Sequence, residues 1–114
     1  VFNLECIGTV THRTRLTVNE ADYRTTYRIN LAKQKWCEGE CLAVRDIYET
    51  QPAFITLEAN TGGLSRNYIR LDRVTGEHMA GRSDGIGSAT VSASWRGECG
   101  RAGFTGFPDV ETKF

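Results

Sequence analysis

Most features that would announce a function are missing from this chain. Its 114 residues carry no net charge, 14 Lys and Arg balancing 14 Asp and Glu. That balance argues against generic attachment to DNA or to an anionic membrane, which draws on a basic excess. No apolar run approaches the ~18 residues that a membrane-spanning helix needs. Internal repeats, low-complexity tracts and Asn-x-Ser/Thr acceptors are all lacking. Helix periodicity is nearly absent too, which leaves strands and turns to build the molecule. A chain of this length buries roughly two-thirds of its unfolded surface on folding, enough for one modest core. A single domain over residues 1–114 is therefore expected.

The zero net charge is a sum of uneven parts. From His12 to Trp36 the basic residues Arg13, Arg15, Arg24, Arg28, Lys33 and Lys35 face only Glu20 and Asp22. From Cys37 to Ala59 the balance inverts, with Glu38, Glu40, Asp46, Glu49 and Glu58 against Arg45. A charge-separated surface or internal pairing follows. Arg outnumbers Lys by 11 to 3, a choice that suits planar carboxylates and phosphates but also follows from GC-rich codon usage.

Four cysteines in a small domain that starts at Val1 rather than Met predict an exported protein, periplasmic or secreted, whose signal peptide has been removed. Three pairings are possible. Phe2, Leu4, Cys6 and Val10 share one face of an extended segment, and Ala89, Val91, Ala93, Trp95 and Cys99 share a face of another. With both thiols turned inward and the two strands adjacent, Cys6 pairs with Cys99 and leaves Cys37 and Cys41 as a local clip. Loop-closure entropy assigns about 4.7 kcal/mol to the long bridge and about 2 kcal/mol to the short one. A metal site is disfavoured, because Cys6 and Cys99 stand alone and His12 and His78 lack ligand spacing. The C-x-x-x-C after a strand is likewise not the C-x-x-C of a redox dithiol.

Strand signals recur at intervals of roughly ten residues, separated by Gly, Asn and Asp turns. Tyr23, Thr25, Tyr27, Ile29 and Leu31 alternate with Arg24, Thr26, Arg28 and Asn30, the pattern of a half-buried antiparallel strand. Thr17 to Asp22 lacks periodicity and reads as a loop. Ala43 to Tyr48 and Phe54 to Ala59 flank Gln51-Pro52, and Asn60 to Gly63, Val74 to Gly76 and Asp84 to Gly87 read as turns. The last strand, Ser88 to Cys99, sets Ser88, Thr90, Ser92, Ser94 and Arg96 outward. The expected fold is all-β, an up-and-down antiparallel meander of about seven or eight strands that curls into a small barrel or tight sandwich tied by two disulfides. Phe104 and Phe107 in the Gly-rich tail would cap one end.

Neither His12 nor His78 carries the spacing of a catalytic triad, and both read as exposed strand histidines. Glu38 and Glu40 flank Gly39 in the small disulfide loop and read as a solvated turn. The Ser/Thr row of the last strand offers a flat polar face for sugars, or an ordinary wet one. Trp36 and Trp95 each lie near a cysteine, and one or both are expected in the core against the disulfides, unless aromatic residues line a hollow interior for a small apolar ligand. Arg24 and Arg28, with Arg13 and Arg15 nearby, form a strip suited to an acidic partner. No pattern calls for a metal or cofactor, and no enzymatic constellation is evident.

Three segments together carry a resemblance: Phe2-Asn3-Leu4-Glu5-Cys6-Ile7-Gly8-Thr9, Tyr27 to Leu31 leading into Trp36-Cys37, and Ile69-Arg70-Leu71-Asp72-Arg73-Val74-Thr75-Gly76. The chain resembles small exported bacterial envelope β-proteins with a Phe-x-x-x-Cys-x-Gly strand, a Trp-Cys pair and a Leu-x-Arg-x-Thr-Gly hairpin. That likeness implies an exported β-protein and no activity. A fainter one is to periplasmic C-type lysozyme inhibitors, whose Ser/Gly-rich inhibitory hairpin Ala80 to Gly87 is similar to. Their paired Trp and downstream Lys are replaced by a single Trp95 and Arg96. The expectation is a non-enzymatic binding or structural protein acting through its loops on a protein or envelope component. The candidate contacts are Arg24, Arg28, Arg82, Ser83 and Asp84. Inhibition of a secreted hydrolase by the 82–87 hairpin and carriage of a small apolar ligand are the alternatives.

Overall fold

The computed structural model describes residues 1–60, 65–85 and 90–103. Nine strands are arranged in chain order: β1 Phe2–Arg13, β2 Val18–Asn30, β3 Lys35–Glu38, β4 Arg45–Asp46, β5 Glu49–Thr50, β6 Phe54–Asn60, β7 Ser65–Asp72, β8 Glu77–Asp84 and β9 Val91–Ala102. They form one antiparallel sheet in the order β4-β3-β2-β1-β9-β8-β7-β6-β5, curled into a half-barrel. The expected meander is present, with nine strands rather than seven or eight. The difference arises at Arg45 to Thr50, where β4 and β5 stand in place of the one strand expected at Ala43 to Tyr48. The single stretch Arg45 to Thr50 supplies both end strands, β4 on β3 and β5 on β6. Between them, Ile47 N–H donates to Gln34 O at 2.9 Å and Tyr48 N–H to Leu57 O at 3.2 Å.

β1 and β9 lie at the centre of the sheet, joined by the Cys6–Cys99 disulfide between directly opposed residues. Cys37–Cys41 closes the local clip. Both pairings follow the expectation from periodicity, because antiparallel neighbours with inward thiols leave no other short path. β2 begins at Val18, so most of the stretch from Thr17 to Asp22 is strand instead of the expected loop. β1 extends to Arg13 and draws it into pairing from Asp22 down to Val18, although nearly all of these side chains stay exposed. Backbone pairing here overrides a sequence with no amphipathic alternation.

The core sits inside the curl, where Cys6, Tyr27, Ile29, Trp36, Ile55, Leu57 and Leu71 pack with Ile47. Trp36 is buried, as expected, and its indole N–H donates to Asp46 O at 3.1 Å. Trp95 is only half-buried and meets His12 edge-on at 6.4 Å between ring centres. The turn from β7 to β8 is set by Asp72, whose carboxylate accepts from the N–H groups of Val74 and Thr75 at 2.8 and 3.0 Å. Those bonds hold the Asp72 pKa below the usual carboxylate range. Gly76 at φ 80° completes the reversal. Residues 61–64, 86–89 and 104–114, with the expected turns at 60–63 and 84–87 in part and the Phe104 and Phe107 cap entirely, fall outside the described residues.

Candidate functional site

The decisive local feature is a pair of strand glycines. Gly8 of β1 faces Gly97 of β9, while Tyr23 of β2 pairs with Gly8 and His78 of β8 pairs with Gly97. One row of the sheet thus reads Tyr23, Gly8, Gly97, His78, with no side chain at its two central positions. The backbones press together there: a Cβ on Gly97 would fall 2.0 Å from Ile7 O, and one on Gly8 would fall 2.1 Å from Arg96 O. The sheet is creased along this line, and side chains from β2 reach those of β8 across two intervening strands.

Tyr23 Oη lies 2.6 Å from His78 Nδ1, and Tyr27 Oη lies 2.8 Å from Nε2. His78 is 1% exposed and Tyr27 is 2% exposed. The expectation of an exposed strand histidine is corrected. The even residues of β8 point into the curl, and the glycine pair opens the space that this ring fills. Burial pushes the His78 pKa down to about 4, so the imidazole is neutral near pH 7. Burial raises the Tyr23 hydroxyl above its ordinary value. Tyr27 is raised further, by burial first and then by the charge of Glu38 and a hydrogen bond with it.

The two tyrosine hydroxyls bracket the imidazole, one on each ring nitrogen. Glu38 accepts from Thr25 Oγ1 at 2.6 Å. The expected solvated turn at Glu38 is exposed.

Above the cluster lies an open trough of about 440 Å³, with Glu38, Glu58, Asn67, Tyr68, Arg82 and Trp95 among its walls. The Tyr68 ring lies against Gly81, where an added Cβ would come within 2.5 Å of a ring carbon; both belong by alternation to the outer face, so Tyr68 meets the trough only at its rim. Glu58 is held by Arg45 at 3.2 Å. Arg82 pairs with Asp84 through Nε at 3.0 Å, and Asp84 also accepts from Ser65 Oγ at 2.5 Å. The bond from Ser65, followed by Arg82, holds Asp84 below the usual carboxylate range.

Of the residues singled out from sequence, Arg82 reaches the trough. Arg24 touches its rim but belongs by alternation to the outer face, opposite Ile7. Arg28 shares that outer face, and its guanidinium donates to Gly39 O at 3.4 Å. Ser83 points away from Arg82, opposite Arg66. The Arg strip and the trough are thus on opposite faces of β2. Among the described residues no group of His, Cys, Asp and Glu has the arrangement of a metal site, and no helix is long and apolar enough to cross a membrane.

The cluster of Tyr23, Tyr27 and His78 was not foreseen. Its one sequence signal was a glycine inside each of two strong strand patterns, which marks close backbone approach. No family model matches the chain, and no curated protein or solved structure matches it either.

Proposed function

We propose that this is an exported binding protein, periplasmic or secreted, that receives its ligand in the concave trough instead of gripping a partner through its loops alone. The observation that carries the reading is the buried His78 at the base of an open, polar-walled concavity, with both nitrogens satisfied by tyrosines from a strand three places away. Burying three polar groups together is costly unless every bond is made, and such a cluster is stiff. Convergent polar groups below a half-open cavity of this size are the usual form of a small-molecule site. The two disulfides fit an oxidising compartment.

The same groups favour binding over turnover. An imidazole held neutral down to about pH 4 is a weak base, and tyrosines with raised pKa values are poor nucleophiles at neutral pH. The trough's mixed polar walls also suit a polar ligand better than the apolar one that was an alternative from sequence. Complete closure of the half-barrel through Arg45 to Thr50 would make the trough the mouth of a small barrel, a common place for ligands.

The test is native mass spectrometry of the intact oxidised protein after incubation with cell-envelope extract. A specific adduct is expected, weakened by Trp95→Ala and Asn67→Ala and unchanged by Arg24→Glu with Arg28→Glu. The opposite pattern would move the site to the outer Arg strip and overturn the trough reading. Unchanged lysozyme activity in excess protein would remove the lysozyme version of the hairpin inhibitor.

A further inference from the structure

Building on the trough as a binding site, we infer that its ligand is an uncharged saccharide, stacked on Trp95 and hydrogen-bonded by Asn67, Arg82 and the carboxylates of Glu38 and Glu58. The register lays out the inner surface. One row reads Trp95, Ala80, Ile69, Glu58 across β9, β8, β7 and β6, and the row beside it reads Ala93, Arg82, Asn67, Asn60. Trp95 has Val10 opposite it on β1, Ala80 on β8, and Ala93 and Gly97 along its own strand. These neighbours are small, so the half-buried indole stands above them on the trough wall. A sugar ring presents an apolar C–H face that suits such an aromatic surface.

The polar groups of the trough are of both kinds. The Asn67 amide makes no hydrogen bond among the described residues. Arg82 meets Asp84 through Nε and keeps both terminal NH2 groups as donors. Glu38 and Glu58 supply the acceptors: Glu38 accepts from Thr25 and joins no ion pair among the described residues, and Glu58 meets Arg45 through one oxygen. An ammonium group would leave the Asn67 and Arg82 donors facing no acceptor, and a carboxylate would leave Glu38 and Glu58 facing no donor. A hydroxyl both donates and accepts, and the several hydroxyls of one sugar meet both walls. The charge balance agrees. Arg82, and Arg24 at the rim with no ion pair of its own, offset the carboxylates of Glu38 and Glu58, and the His78 imidazole is neutral. No net charge is left for an ionic ligand to match.

The experiment follows the Trp95 indole N–H and the Asn67 side-chain amide by NMR in the intact oxidised protein. The probes are the disaccharides chitobiose, cellobiose and maltose, and the ionic compounds phenethylammonium, phenylacetate and zwitterionic phenylalanine. At least one disaccharide is expected to shift both signals and to bind at least about ten-fold more tightly than any ionic probe. Trp95→Ala and Asn67→Ala should each weaken it about ten-fold, and Trp95→Phe should weaken it less. Raised salt should leave its affinity unchanged, because an uncharged ligand is not screened. An ionic probe that binds the trough as tightly as the disaccharides would overturn the ligand class and leave the trough reading standing. A disaccharide affinity that falls with salt, or that ignores both Trp95→Ala and Asn67→Ala, would do the same. So would shifts confined to Ser92 and Ser94, which lie on the outer face of β9. If no probe moves a trough signal, the saccharide inference fails, and the envelope-extract experiment alone decides whether the trough binds anything.

Discussion

The crease between β1 and β9 yields the sharpest quantitative expectation, the effect of Gly97→Ala. The added methyl carbon would lie 2.0 Å from Ile7 O, 2.7 Å from Ile7 C and 2.8 Å from Gly8 Cα. All three atoms are backbone, so no rotamer change relieves the clash, and an ordinary contact requires the strands to part by about 1 Å. Two residues away, Cys6–Cys99 ties the same strands with Cα atoms 4.0 Å apart, which prevents them from opening as a pair. Overpacking usually costs ~1–3 kcal/mol, and a backbone clash beside a covalent tie belongs at the upper end, about 3 kcal/mol. With an unfolding entropy of ~2.1 cal/mol/K per residue, that lowers the melting temperature by roughly 12 °C. Gly100→Ala is the internal control on the same strand, because a Cβ there meets nothing within 4 Å; it should stay within ~0.5 kcal/mol of the parent. Thermal unfolding of the oxidised proteins by circular dichroism measures both. A Gly97→Ala protein that melts together with Gly100→Ala would refute the crease and its role in bringing Tyr23 to His78.

The remaining expectations concern the cluster and the two staples. His78 takes up a proton near pH 6.5 when unfolded but only near pH 4 when folded, so its contribution is complete above pH 6.5 and is lost as pH falls toward 4. That contribution is roughly 3 kcal/mol, and an NMR titration of the His78 ring with an ordinary midpoint would contradict it. Tyr27→Phe leaves His78 Nε2 without its partner in a buried site and should cost about 1–3 kcal/mol. Tyr23→Phe sits where water can replace the hydroxyl, and should cost less than about 1 kcal/mol; equal losses in urea unfolding would count against the difference in burial between the two tyrosines. Replacing Cys6 and Cys99 by Ala should remove about 4.7 kcal/mol and replacing Cys37 and Cys41 about 2 kcal/mol. Denaturant midpoints in the reverse order would refute the loop-entropy account.

Much of the fold was legible because strand alternation is a local signal. The inward sets Phe2, Leu4, Cys6 and Ala93, Trp95, Cys99 turned both thiols to the core, and on the condition that the first and last strands are neighbours, which the structure meets, they chose among the three disulfide pairings. The Asp72 to Gly76 reversal was legible for the same reason, since side chain and turn lie within five residues. The strand from Val18 to Asp22 was not, because it is held by pairing to β1 and not by burial of its own side chains. Likewise, Arg45 to Thr50 carries no mark of serving both ends of the sheet.

The amino-acid sequence by itself determined an all-β chain, antiparallel neighbours, two disulfides and an uneven charge pattern. Each of these depends on residues near one another or on simple alternation. Only the tertiary structure decided that Tyr23, Tyr27 and His78 meet, that Glu38 lines the trough above them, and that the Arg24 and Arg28 strip belongs to the other face. Register across four strands sets those relations, and it is governed by curvature at a glycine pair that no single strand encodes.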